Sequence, residues 1–87
     1  MQGSTQTTSG RITVNGEGRD LPDPATVLAL VAGTTGRTIG ADGKPADGGR
    51  LGVAVAVNSE VVPRRSWAST ALAAGDAVEL VTAMQGG

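Results

Sequence analysis

Residues 11–33, RITVNGEGRDLPDPATVLALVAG, set two hydrophobic periods side by side. Ile12 and Val14 alternate with polar neighbours and run into Asn15-Gly16, a pair that tolerates the positive φ of a tight turn, so two short strands are predicted around it. The period then lengthens: Val27, Leu28 and Val31 fall on one face of a helix, with Leu30 at its edge. Asp23 is placed to accept hydrogen bonds from the free amides of the helix start. Pro24 offers a preset φ at the first helical position, and Gly33 closes the helix. A hairpin followed directly by a helix with one apolar face needs a sheet for that face to cover.

The downstream chain supplies it. Residues 51–58, LGVAVAVN, alternate in size: Leu51, Val53, Val55 and Val57 point one way, and Gly52, Ala54 and Ala56 the other. The branched row should face the helix, which leaves an unusually small-sided opposite face. VVPRRSWASTAL, residues 61–72, reads as a short strand ended by Pro63 and then an irregular or single-turn helical segment around Trp67, a packing anchor. Gly75-Asp76 makes a turn into a last strand with Val78 and Leu80 on one face and Glu79 and Val81 on the other. Hairpin, helix, strand, short strand and final strand is the order of a ubiquitin-like β-grasp domain. The expected class is α+β, a mixed sheet of four to five strands packed on one main helix.

Two segments fall outside this plan. Residues 1–10, MQGSTQTTSG, are polar and rich in Ser, Thr and Gly, and are expected to be a disordered extension. Residues 34–50, TTGRTIGADGKPADGGR, hold five glycines and one large apolar residue, Ile39, and are expected to form a flexible loop. So long a connection is either functional or a tolerated insertion, and the lack of chemistry in its side chains favours insertion. The β-grasp domain is thus assigned to residues 11–83 and a flexible tail to residues 84–87.

Composition narrows the function. Eighty-seven residues make one domain with an aliphatic core, because there is one Trp and no Phe or Tyr. No cysteine and no histidine are present, which removes thiolate nucleophiles, the usual zinc sites and imidazole bases. Seven basic against eight acidic residues give a net charge of −1, against nucleic-acid or anionic-membrane binding. Neither a membrane span nor a targeting segment is legible, so a cytoplasmic location is expected. Gly43-Lys44 fails as a phosphate loop, since Thr38 stands at the required first glycine and Pro45 where Ser or Thr is needed. Asp42 and Asp47 lack calcium-loop spacing, and no metal site is expected.

Residues 55–87, VAVNSEVVPRRSWASTALAAGDAVELVTAMQGG, closely resemble the carboxyl-terminal half of the ThiS family, the sulfur carriers of thiamine biosynthesis. The likeness rests on Val57 to Trp67, VNSEVVPRRSW, where the family has Val-Asn-x-x-x-Val-Pro-Arg followed shortly by Trp. It rests also on Gly75-Asp76 before the last strand and on the terminal Gly86-Gly87. Residues 11–33 are similar to the family's opening hairpin and helix. The first ten residues and the glycine-rich loop look like extra length over a compact member.

The resemblance implies a protein co-substrate with no catalytic residues and no bound cofactor, a monomer when free. A ThiF-type adenylating enzyme would spend ATP to convert the Gly87 carboxylate to an acyl adenylate. Sulfur from a donor such as a cysteine desulfurase would replace AMP, and the thiocarboxylate would serve thiazole synthase, ThiG. The carriers of molybdopterin, cysteine or thiouridine synthesis share fold and tail. So do ubiquitin-like modifiers, and an interaction domain with an inert tail is a further alternative.

The residue types suit the chemistry. Gly86 and Gly87 lack a Cβ, so with Gln85 they can thread a narrow channel and leave the carbonyl open to attack. Gly52, Ala54, Ala56, Val81 and Ala83 form the candidate docking face; the plainer reading makes them exposed strand positions that tolerate any spacing. Arg64 and Arg65 read as solvated surface, and Asn58 as a turn former rather than a recognition residue.

Overall fold

The computed structural model describes residues 10–82. Five strands form one mixed sheet. β1 (Arg11–Val14) and β2 (Glu17–Asp20) make the hairpin, α1 (Val27–Thr35) follows, then come β3 (Val53–Val57), β4 (Glu60–Val62) and β5 (Ala77–Thr82). The spatial order is β2-β1-β5-β3-β4, so the last strand of the chain is central. β5 runs parallel to β1, with Thr13 opposite Ala77 and Val14 opposite Val78, and antiparallel to β3 from Val53–Thr82 to Val57–Val78. One helix against a mixed five-stranded sheet is the α+β β-grasp arrangement that the order of elements predicts.

The alternations resolve as expected. Ile12 and Val14, then Leu51, Val53 and Val55, then Val78 and Leu80 are buried on the helix side, against Val27, Leu30 and Val31. Leu28 is half-buried, so the helix packs through positions i, i+3 and i+4 rather than through Val27 and Leu28 together. Trp67, fully buried, is the largest side chain of the core, and its Nε1–H donates to the Val62 carbonyl at 3.1 Å. It follows a single 3-10 turn, Arg64–Ser66, which begins directly after Pro63.

The helix ends lie about one turn later than the local signals indicate. Thr26, extended at φ −129° and ψ 160°, is the N-cap, and its Oγ1 accepts from the Ala29 amide. Asp23 and Pro24 stay outside the helix. The deciding partners are remote: Val27 N–H donates to Thr70 O at 3.0 Å and Leu28 N–H to Trp67 O at 3.1 Å, while Leu72 N–H returns to Ala25 O at 2.8 Å. Carbonyls forty residues downstream thus satisfy the first amides, which no local cap could do alone. Gly33 lies within α1; Gly36, at φ 71°, ends it by donating to Ala32 O.

The segment after α1 carries its own hydrogen bonds. Thr34 and Thr35 belong to the helix. Ile39 pairs with Pro45 across a narrow turn closed by Gly40 N–H to Lys44 O and Gly43 N–H to Gly40 O, each 2.8 Å. Ile39 is buried in the core. Gly43, at φ +81°, lies so close to the Arg64 backbone that a Cβ would fall 2.7 Å from its carbonyl oxygen, a place only glycine can take. Arg37 bonds the Arg50 carbonyl at 3.0 Å and Asp47 at 3.2 Å. The Gly49 amide and then Arg37 hold the Asp47 carboxyl below the usual carboxylate range. Gly10, assigned by composition to the extension, accepts from the Leu21 amide at 3.0 Å and so lengthens the hairpin.

Candidate functional site

β5 is the last of the described elements, and two asparagines fasten it. Asn15 sits at φ 53° in the β1–β2 turn, followed by Gly16 at 86°. Its backbone amide donates to Val78 O, its Nδ2 to Leu80 O at 3.2 Å, and its Oδ1 accepts from Leu80 N at 2.9 Å. The carboxamide therefore stands in for one further residue of the β1–β5 ladder. Asn58, at φ 51° in the β3–β4 turn, accepts from Ala77 N at 3.0 Å and donates to Asp76 Oδ1 at 3.1 Å. Asp76 Oδ2 in turn accepts from Ala73 N. Both turns owe their positive φ to residues that tolerate it, and both spend the side chain on β5. Asn58 is a turn residue, as its sequence context indicates.

The outer face of the sheet, away from α1, brings the small-sided row together. Ala54 lies directly opposite Val81, and Ala56 lies between Glu79 on β5 and Val61 on β4. Opposed residues of an antiparallel pair share a face, so Val61, Ala56, Ala54 and Val81 make two adjoining apolar rungs. Val61 is 74% exposed and Val81 63%, the two large apolar side chains most open to water among the described residues. Gly52 is exposed one residue before β3. Val61 was not picked out from the sequence; its signal was the Val61-Val62 pair, in which a strand of two-residue period must send one valine outward. Ala83, Gln85, Gly86 and Gly87 lie outside the described residues.

The described residues contain no group of three acidic side chains placed to hold a metal ion, and no helix long and apolar enough to cross a membrane. Arg64 is held inside the fold: its guanidinium donates to the carbonyls of Leu51 and Val53 and lies 5.5 Å from the centre of the Trp67 ring. Arg65 is exposed.

Comparison with known proteins gives a consistent picture. A model of the ThiS family matches residues 12–87. Among solved structures, the chain is similar to a thiamine biosynthesis protein, ThiS, from Geobacter metallireducens. The two are 30% identical with a TM-score of 0.58, over 88% of this chain and 99% of that one. No curated protein matches.

Proposed function

Because the chain belongs to the ThiS family, we propose that it carries sulfur for thiamine biosynthesis as a thiocarboxylate on its last residue, Gly87. The observation that carries the reading is the family match reaching through the terminal Gly86-Gly87. The carrier is a co-substrate, and the catalytic groups belong to its partners.

The chemistry divides between domain and tail. A carboxylate resists nucleophiles until one of its oxygens attacks the α-phosphate of ATP, releasing pyrophosphate and leaving an acyl adenylate. A sulfur nucleophile then adds to the Gly87 carbonyl and AMP departs. When that nucleophile is a persulfide, a second thiol must cleave the sulfur–sulfur bond to free the thiocarboxylate for the thiazole-forming enzyme. Five residues follow Thr82 in the sequence and can span at most about 17 Å when extended. That reach lets the carboxyl end enter a channel in a ThiF-type enzyme while the folded domain stays outside. Residues without a side chain at the end leave both faces of the carbonyl open.

Ordering such a tail costs conformational entropy, about 1–2 kcal/mol per residue, which contacts of the domain must offset. The apolar rungs of Ala54, Val81, Ala56 and Val61 are the surface suited to this. They are apolar, with Val61 and Val81 exposed, and they belong to or adjoin the strand that precedes the tail in sequence.

The test is intact-mass measurement after incubation with ATP, a ThiF-type enzyme and a sulfur donor. The full chain gains the difference between one sulfur and one oxygen, and a chain lacking Gly87 does not. A chain that gains no such mass under conditions that modify another ThiS-family carrier would overturn the proposal, and isopeptide adducts in cells would point instead to a protein modifier.

A further inference from the structure

The glycine-rich segment between α1 and β3 builds a cleft that the carrier chemistry does not itself require. The cleft holds about 640 Å³ and is lined, among the described residues, by Lys44, Pro45, Gly48–Gly49, Arg50–Gly52 and Arg64. Three of the seven basic residues of the chain line it, and none of the eight acidic ones does, although the whole chain carries a net charge of −1. The two acids of the same segment bond within it. Asp42 accepts the Lys44 backbone amide at 3.0 Å, and Asp47 accepts from Gly49 N–H and pairs with Arg37. Lys44 and Arg50 are exposed, and neither side chain bonds another described residue.

Position gives the cleft its meaning. Thr82, the last described residue, pairs with Val53, and Gly52 and Leu51 immediately before it form the cleft wall. The cleft thus adjoins the point from which the tail departs, where a protein that receives the tail must place its own surface. We infer that this cleft docks an acidic peptide segment of the tail-activating enzyme, two or more carboxylates meeting Lys44 and Arg50 beside the apolar walls of Pro45 and Leu51. The inference rests on the carrier reading above. A small inorganic anion fits less well. Of the three cations in the lining, Arg64 already donates to backbone carbonyls, which leaves Lys44 and Arg50 for the spaced carboxylates of a peptide.

Steady-state adenylation by the ThiF-type enzyme tests this with the double variant Lys44→Gln/Arg50→Gln. The expected result is a KM for the carrier raised about five- to tenfold at low salt, with kcat unchanged and a shallower dependence of KM on ionic strength. The variant Arg19→Gln/Arg65→Gln removes the same net charge elsewhere and should leave KM within about twofold. An unchanged KM in the first variant, or an equal rise in the second, overturns the inference. In parallel, amide NMR spectra of the free carrier are titrated with hexaglutamate peptide and with inorganic pyrophosphate. Peptide shifting the amides of residues 44–52 supports the inference, and pyrophosphate shifting them while peptide does not overturns it. If the unaltered carrier forms no adenylate, the carrier reading fails, and the peptide titration still decides the cleft.

Discussion

Asn15 shows how much one residue can be asked to do. It takes a left-handed backbone conformation at the turn and uses both ends of its carboxamide to extend the ladder to Leu80. Asn15→Ala should therefore lose about 1–3 kcal/mol, from a strained φ and from Leu80 groups left without a partner. Denaturant unfolding measures this, and Asn15→Gly, which relieves φ alone, should recover only part of the loss. Ala54 makes the opposite demand, because its outer-face position is exposed and opposes Val81. Ala54→Arg should leave circular dichroism and melting unchanged while raising KM for adenylation on the order of tenfold. Unchanged turnover would remove the outer face from the docking surface. The turn role of Asn15 was legible because Asn-Gly between alternating strands has few other uses. The bonds to Leu80 were not, since they join residues 65 apart.

At the scale of elements, local signals found the strands and misplaced the helix ends. Asp23, Pro24 and Gly33 are all sound punctuation, yet the start of α1 is chosen by the carbonyls of Trp67 and Thr70, which only the folded chain brings near. The hairpin came from period and the Asn15-Gly16 turn, the facing rows of β3 and β5 from period, and an irregular or single-turn segment around Trp67 from Pro63. The small-sided row was likewise legible in β3, whereas Val61 completes it only once β4 is paired to Ala56. The glycine-rich segment was the least readable, because the sequence cannot show that Gly43 fits against the Arg64 backbone. Its fastening has a pH signature. Gly49 N–H and Arg37 hold the Asp47 carboxyl below its ordinary range, so the charged form is favoured in the folded segment. That contribution is complete above the ordinary carboxylate pKa and fades as pH falls through the lowered native value. The Gly49 amide resonance should track this loss in acid, and Asp47→Asn should abolish the titration.

The molecule as a whole is stabilised by an aliphatic core built around one aromatic side chain. Trp67 meets the sheet, donates to Val62 and supports the guanidinium of Arg64. Trp67→Ala should cost about 3–5 kcal/mol, a large part of what a domain of this size possesses. Thermal unfolding should report it as a loss of most or all of the folded population. The strand order also has a mechanical consequence. β1 opens the described chain and β5 closes it, and the two lie parallel side by side. Traction applied to the two ends would strain the bonds from Thr13 to Asp76 and from Asn15 to Val78 and Leu80 simultaneously, in shear, instead of peeling them apart one after another. A pull carried from one end of the described chain to the other is thus borne by these bonds together.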